Sequence, residues 1–461
     1  MLFHTQAFLL GFLPLTLAAY YALAGHPLAR RWAAILASLA FYGYWDWRLV
    51  PLLVLSVLAN WGLSLLPPRL PLRAVVALGV AANLAVLGFF KYADFLAGSA
   101  EAVLGLKHDP YGIVLPLGIS FFTFQQISYL ADLGRGRAPR YPLADYALWV
   151  TLFPHLIAGP IIRHNEIIDQ FALPPLRPGL AERISRGFTL LVLGIGKKVL
   201  LADPLAALAD PLFAAAATGH DLGLVQAWIA GVAFSLQIYF DFSGYSDMAM
   251  ALALLMGLML PVNFDAPYRA RSIREFWRRW HITLSRFLRD YLYIPLGGNR
   301  LGARQRAAAT VATMLLGGLW HGAGWTFVAW GGLHGAALAL NQAWSARGFK
   351  MPGWLGWILT MLVVVAGFVL FRAADFDSAA SIMAGMAGLN GFGAAAGFAR
   401  GAPALLALAA FLALAGPPAH VLALERLKPS AWIAAPAALA FVYLLLAVGG
   451  GRNTEFIYFQ F

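Results

Sequence analysis

A histidine in an apolar segment is the first candidate for chemistry in this sequence. Residues 311–340 are nearly uncharged, yet they include His321. A neutral imidazole has an ordinary pKa of about 6.5, so it can take a proton from a hydroxyl group and later return it. Ionisable side chains in membrane segments commonly mark catalytic sites or substrate paths, and a packing histidine bonded to a backbone carbonyl is the alternative. We interpret His321 as a general base.

The residues around His321 indicate how the imidazole is held. At a rise of about 1.5 Å per residue, residues 311–340 would exceed a bilayer core as one straight helix, so we predict a break at Gly322 and Gly324. These glycines are expected to leave room beside the imidazole for a substrate atom. Trp320 and Trp325 are expected to wall that space and limit water.

A second histidine lies in an arginine-rich stretch, residues 268–306, which holds ten arginines and two acids. One arginine at the bilayer centre costs roughly 2.5–3.5 kcal/mol, so this stretch is expected at the cytoplasmic face. Apolar residues recur every three or four positions from Ile273 to Leu292, which predicts an amphipathic helix. Its aromatic face, including Trp277, is expected to point into the protein, and His281 shares that face.

Two carboxylates and several hydroxyls lie between apolar spans in residues 237–247. Intramembrane acids are candidates for functional sites, so Asp241, Ser243 and Asp247 are assigned to the lining of the substrate path. The alternative is that these acids pair with arginines of residues 268–306. Either arrangement would help to build the same site.

Polar residues also follow one another in residues 115–132, among them Gln125. They fit the wall of a tunnel, and they equally fit a hydrogen-bonded seam between two membrane helices. Gln125 is placed with the lining residues, although the seam is the simpler interpretation.

Composition restricts the class of protein. Of 461 residues, 61% are hydrophobic and 12% are charged, which is far more apolar than a soluble domain. The net charge of +12 comes from Lys and Arg in short loops between spans, where they set topology, so nucleic acid is not expected as a partner. Lys197 and Lys198 are interpreted in this way. The sequence has no cysteine, and we expect neither a metal nor a bound cofactor.

Apolar segments recur along the whole chain and predict an all-α polytopic membrane protein of about eleven crossings. Segments interrupted by Pro and Gly, such as residues 115–118 and 153–155, are expected to enter the membrane and return. We expect one integral-membrane domain over residues 1–461, with an interfacial helix in residues 268–306.

Strings in order along the chain resemble the membrane-bound O-acyltransferase family, in its bacterial branch that includes the alginate O-acetylation protein. They include residues 115–132, 239–247, 263–296, 320–325 and 456–461. The resemblance implies a ring of spanning helices around a central tunnel, which leads from the cytoplasm to a histidine that corresponds to His321. The second histidine of the family pattern matches His281, which would bind or orient the donor.

The resemblance also implies partners and location. Acetyl-CoA or another acyl thioester would be the donor substrate, and an extracytoplasmic polysaccharide would be the acceptor. An SGNH-type acyltransferase partner protein would complete the transfer. This chain itself would be a multi-pass protein of the cell inner membrane, in contact with membrane lipids.

Other functions compete with this one. Within the same family, a D-alanyl transferase or an acyltransferase acting on lipids or lipoproteins is possible. A transporter or flippase would line an alternating pathway with His321, Asp241 and Asp247. That class often shows two similar halves, which the sequence lacks.

Overall fold

The computed structural model describes residues 1–66, 71–393, 401–449, 456 and 457. Over these ranges the chain forms α-helices with short 3₁₀ and π turns and no strand. An all-α fold was expected, and it is confirmed. Residues 458–461, at the end of the terminal string, lie outside the described ranges.

Twenty-one α-helices are assigned in the described ranges. The first eleven are α1 (Leu13–Ala22), α2 (Pro27–Asp46), α3 (Val50–Leu65), α4 (Leu72–Leu87), α5 (Ala93–Val103), α6 (Ile119–Gly134), α7 (Leu143–Thr151), α8 (Phe153–Leu156), α9 (His164–Ile167), α10 (Leu180–Gly196) and α11 (Asp203–Ala217). The others are α12 (Leu224–Leu255), α13 (Ile273–Arg279), α14 (Ile282–Leu288), α15 (Gly302–His321), α16 (Trp325–Ala346), α17 (Gly353–Arg372), α18 (Phe376–Met386), α19 (Ala402–Leu414), α20 (Ala419–Val421) and α21 (Ala431–Gly449).

Short turns of other helix types join or extend these helices. The 3₁₀ turns are Trp47–Leu49, Ile168–Ala172 and Pro267–Arg269. The π turns are Ala7–Phe12, Gly88–Tyr92, Lys197–Ala202, Arg289–Tyr293 and Leu422–Arg426.

Six helical runs in the described ranges are long and apolar enough to cross a membrane, so the chain is a multi-pass membrane protein. These runs are Pro27–Leu65, Leu72–Val103, Leu180–Ala217, Leu224–Leu255, Gly353–Arg372 and Ala431–Gly449. A pair bent by 63°, Ala402–Leu414 and Ala419–Arg426, makes a seventh if it is one span.

The count of about eleven crossings is not confirmed. The helices beside the segments interrupted by Pro and Gly are short, since α6 has 16 residues and α7 has 9. A helix of 16 residues covers about 24 Å, which is less than a hydrocarbon core of about 30 Å. Residues 27–65 form one helical run.

The chain folds as two compact units. The first comprises Met1–Val192, Tyr245–Val262 and Ala423–Asn453, and the second comprises Leu193–Gly244, Asn263–Leu422 and Thr454–Phe461. A single domain over residues 1–461 stays a prediction.

The arginine-rich stretch does not form the continuous amphipathic helix that was expected. It contains two helices of seven residues, α13 and α14, and a following π turn. The helix is interrupted because His281 adopts left-handed backbone angles, with φ at 42°. The inward aromatic face is confirmed, since Phe276, Trp280 and Phe287 are buried.

Helices α15 and α16 form a closely packed hairpin in the second unit. A Cβ atom on Gly318 would lie 2.2 Å from the carbonyl oxygen of Phe327, and one on Gly331 would lie 2.2 Å from the carbonyl oxygen of Met314. Residue numbers rise along one helix as they fall along the other, so the helices are antiparallel. Glycine permits this approach of two backbones in a membrane protein.

Gly331→Ala is expected to destabilise the hairpin, because the new methyl group meets a backbone carbonyl that cannot move aside. Overpacking of this kind costs roughly 1–3 kcal/mol. The measurement is the thermal midpoint of the detergent-solubilised protein. Gly332→Ala is the matched control, since its Cβ would meet only a side-chain carbon of Leu315 at 3.4 Å. Equal midpoints for the two variants would contradict the close packing.

Candidate active site

His321 is the last residue of α15, and the predicted break follows it directly. Gly322 and Gly324 take extended backbone angles, with φ at −155° and −164°, and α16 begins at Trp325. The break at the glycines is therefore confirmed. His321 is 4% exposed, so the turn places an imidazole inside the protein at the end of a helix.

Gly322 does not leave open space beside the imidazole. A Cβ atom on Gly322 would lie 2.2 Å from the ring of Phe327, so that ring already fills the position. The Phe327 ring packs edge-on against Phe371, with ring centroids 4.8 Å apart. The expectation of room for a substrate atom at Gly322 is wrong, because the first turn of α16 folds back over the glycines.

Aromatic rings surround His321. Its ring centroid lies 5.0 Å from that of Trp320, 5.1 Å from that of Trp330 and 5.3 Å from that of Phe371. Trp320 is buried as expected, whereas Trp325 is 56% exposed. The second wall of the imidazole is therefore formed by Trp330 and Phe371, neither of which was predicted to lie there.

The structure brings His281 next to His321. Their ring centroids are 6.4 Å apart, and Trp320 lies 6.2 Å from His281. His281 is fully buried, and the rings of Phe242 and Phe264 pack on it at 4.7 Å and 6.3 Å. The two histidines thus share one apolar, aromatic environment.

Asn263 holds His281 in its left-handed conformation, which costs roughly 1–3 kcal/mol for a residue other than glycine. The Asn263 side-chain oxygen accepts hydrogen bonds from His281 Nδ1 at 3.1 Å, from the Thr283 hydroxyl at 2.9 Å and from the Thr283 N–H at 3.3 Å. The Asn263 carbonyl accepts the Ile282 N–H at 2.9 Å. One buried side chain thereby organises the break between α13 and α14.

The same contact sets the tautomer of His281. Because the Thr283 N–H points at the Asn263 oxygen, the facing Nδ1 of His281 must carry a proton and donate. Burial lowers the pKa of His281 to about 3, so the ring is neutral at pH 7. Its Nε2 is then a buried acceptor, and it has no hydrogen-bond partner among the described residues.

Asp241 does not pair with the arginine-rich stretch. Its carboxylate lies 2.8 Å from Lys198 Nζ, which also lies 2.9 Å from Asp203, and it accepts the Ile457 N–H at 2.8 Å. Lys198 is 4% exposed and lies inside the helical run Leu180–Ala217, so it is a buried partner of two acids and not the charge in a loop between spans that was expected. The π turn Lys197–Ala202 carries it.

The remaining predicted residues are distributed over several places. Ser243 accepts a hydrogen bond from Lys197 Nζ at 3.3 Å. Trp277 donates its indole N–H to Nδ1 of the buried His334 at 3.3 Å, and its ring lies 5.7 Å from that of Trp330. Trp277 therefore packs against Trp330, and Trp330 in turn contacts His321.

Two predicted residues belong to the first unit. Gln125 is buried there, and its amide donates to His155 Nδ1 at 3.1 Å and to the Ile162 carbonyl at 3.3 Å. Gln125 therefore bonds to the short helix α8 and to the loop that follows it, so these two hydrogen bonds do not join two membrane helices. Asp247 is buried on α12. The role of both residues in a substrate path stays a prediction.

Chemically, the site offers two buried imidazoles and a wall of aromatic rings. Such a pair is suited to moving a proton and binding a polar group where water is scarce. No cluster of three or more His, Asp or Glu side chains that could hold a metal ion is found in the described part of the chain.

Asn263 and Trp330 were missed for different reasons. An asparagine just after a span is usually a capping or turn residue, and its link to His281 crosses 18 positions in sequence. Trp330 is brought back to His321 by the antiparallel hairpin. The three-and-four spacing of a single helix gives no signal for either contact.

Comparison with known proteins identifies a matching family and several similar proteins. A model of the membrane-bound O-acyltransferase family matches residues 120–374. A peptidoglycan O-acetyltransferase of Helicobacter pylori is 40% identical over 85% of this chain and 80% of its own length. A probable alginate O-acetylase AlgI of Pseudomonas aeruginosa is 43% identical over 82% and 73%. A teichoic acid D-alanyltransferase of Streptococcus thermophilus is 31% identical over 50% and 57%.

Asn263→Ala is expected to release the tautomer of His281, because Nδ1 loses its acceptor. The ¹⁵N chemical shifts of labelled histidine, assigned with His281→Gln, should change from a single Nδ1–H form to a mixture. Thr283→Val is the control, since it removes a different donor to Asn263 and leaves the His281 bond in place. An unchanged tautomer in Asn263→Ala would show that another group sets it.

Proposed function

Since this chain belongs to the membrane-bound O-acyltransferase family, we propose that it transfers acetyl groups from a cytoplasmic thioester for O-acetylation of an extracytoplasmic polysaccharide. The chain is a membrane O-acyltransferase, and relatives of high identity along most of its length are named O-acetyltransferases of peptidoglycan or alginate. The observation that carries the proposal is the buried pair His321 and His281, with ring centroids 6.4 Å apart.

In the proposed reaction His321 is the general base. Its imidazole takes the proton of the acceptor hydroxyl as the oxygen attacks the acetyl carbonyl. A carbon–oxygen bond forms, the carbon–sulfur bond breaks, and the protonated imidazole returns its proton to the departing thiolate. The reaction needs no covalent enzyme intermediate, which fits a chain without cysteine.

His281 has a separate role in this proposal. Its neutral ring donates through Nδ1 to Asn263 and presents Nε2 as an acceptor, so it can receive an N–H or O–H of the donor. The fixed tautomer prevents the ring from presenting a donor at that position. His281 would therefore orient the thioester while His321 handles the proton.

The aromatic walls support acyl transfer over hydrolysis. Trp320, Trp330 and Phe371 pack on the His321 ring and keep bulk water from it. A thioester that meets the imidazole there would encounter the bound acceptor before a water molecule.

The wider arrangement is proposed from the family resemblance. A ring of about eleven spanning helices would surround a tunnel from the cytoplasm to His321, in the cell inner membrane. An SGNH-type partner protein would pass the acetyl group on to the polysaccharide. The D-alanyltransferase relative supports a second candidate, in which the donor carries D-alanine.

His321→Ala is expected to reduce acyl transfer by roughly 10²–10⁴-fold, because the hydroxyl loses its general base. The measurement is transfer of labelled acetyl from acetyl-CoA in membrane vesicles that contain the acceptor glycan and the SGNH-type partner protein. His220→Ala, an exposed histidine in a loop, is the control and should retain activity. Undiminished transfer by a folded His321→Ala protein would refute the assignment.

The donor is tested by offering two labelled thioesters to the same vesicles. We expect acetyl-CoA to label the glycan and a D-alanyl carrier-protein thioester to leave it unlabelled. Labelling from the D-alanyl donor alone would refute acetyl transfer and leave the role of His321 intact. His321→Ala vesicles provide the background for both donors.

A further inference from the structure

A groove of about 400 Å³ lies in the second unit, away from the histidine pair. It is formed by the start of α13, the C-terminal half of α16 and the N-terminal half of α17. Apolar side chains line the groove, namely Ile273, Leu340, Leu359 and Val363, of which Ile273 is buried and Leu340 and Leu359 are exposed. A cavity of this size and polarity is typical of sites for small apolar ligands.

The side chain of Arg271 lies at the opening of this groove. Arg271 is exposed, and its side chain lies over Gly353, where a Cβ atom would be 3.2 Å from Arg271 Cδ. The nearby Glu275 binds Arg279 at 3.0 Å and accepts the backbone N–H of Arg271. No described carboxylate lies within ion-pair distance of the Arg271 guanidinium, so its charge is available to a ligand.

Two further cations lie close in sequence to this mouth. Arg347 and Lys350 are exposed in the loop that joins α16 to α17, just before Gly353, and neither has an acidic partner in the described ranges. Gly353 is also the first residue of a candidate membrane span. The mouth is therefore a positively charged end of a span, which the charge rule places on the cytoplasmic side.

The aromatic rim of the groove has the composition of a membrane interface. Trp344 and Phe349 line the groove, are exposed, and pack on each other with ring centroids 4.9 Å apart. Tryptophan beside basic residues is enriched at the level of lipid headgroups. Basic pockets between membrane helices on the cytoplasmic side recognise anionic lipid headgroups.

We propose that this groove binds one anionic glycerophospholipid of the cytoplasmic leaflet. Its phosphate lies at Arg271, and one acyl chain enters the space between Leu340 and Leu359. A small soluble anion would bind Arg271 and leave the apolar lining of the groove without a ligand. A neutral lipid would contact the apolar lining and leave the charge of Arg271 unpaired. Only a lipid with both parts matches the whole groove.

The experiment uses the full chain in phosphatidylcholine nanodiscs. Phosphatidylglycerol with brominated acyl chains, which quench tryptophan fluorescence, is titrated into the nanodiscs. The quenching of Trp344 is obtained by subtracting the fluorescence of the Trp344→Phe variant from that of the native protein. We expect half-quenching at roughly fivefold less phosphatidylglycerol than brominated phosphatidylcholine, since one basic side chain contributes about 1 kcal/mol to such binding. Equal curves for the two lipids would overturn the proposal.

Arg271→Gln should move the phosphatidylglycerol curve to that of phosphatidylcholine. Arg304→Gln is the matched control, an exposed arginine of the same basic stretch that does not line the groove, and should leave the curve in place. An unchanged curve for Arg271→Gln would overturn the headgroup assignment.

Ala337→Phe fills the groove and should abolish the quenching, provided that the variant elutes as a single folded species. Ala337→Leu adds a smaller side chain to the groove and replaces the first variant in the experiment if that variant does not fold. Inorganic phosphate should not compete at millimolar concentration. Full competition by phosphate, or quenching that survives the filled interior, would refute binding of a whole lipid.

Discussion

A polar group inside a membrane protein has to find its partners within the protein, and the second unit is arranged around that constraint. Lys198 is buried between Asp203 and Asp241, and Asp241 also receives the Ile457 N–H. Asn263 satisfies the buried break around His281 with its own side chain. These partners are a precondition for the apolar environment of the histidine pair.

Both histidines lie where a helix is interrupted. His321 ends α15 at a pair of extended glycines, and His281 separates α13 from α14 in a left-handed conformation. A helix interior would direct each imidazole along one helical face. An interruption frees the side chain to point at a partner from another helix, and this is how the two rings come within 6.4 Å.

The family membership and the geometry contribute different parts of the proposed function. The relatives point to O-acyl transfer, and they include both O-acetyltransferases and a D-alanyltransferase. Within the proposed reaction, the fixed tautomer of His281 would make its Nε2 an acceptor of hydrogen bonds from the donor substrate. If His321 is the base, as proposed, the aromatic rings around it would favour attack by a bound hydroxyl over attack by bulk water.

The sequence by itself determined the membrane class, the helical fold and the break at Gly322 and Gly324, and it marked His321 as an ionisable residue in an apolar segment. These follow from composition and from local rules for helices, in which each residue meets its near neighbours. Only the tertiary structure decided the placement of Phe327, Trp330 and Asn263, and the partner of Asp241. Those contacts join residues that are far apart in sequence or on opposite sides of a turn, and helix periodicity contains no information about which helix packs against which.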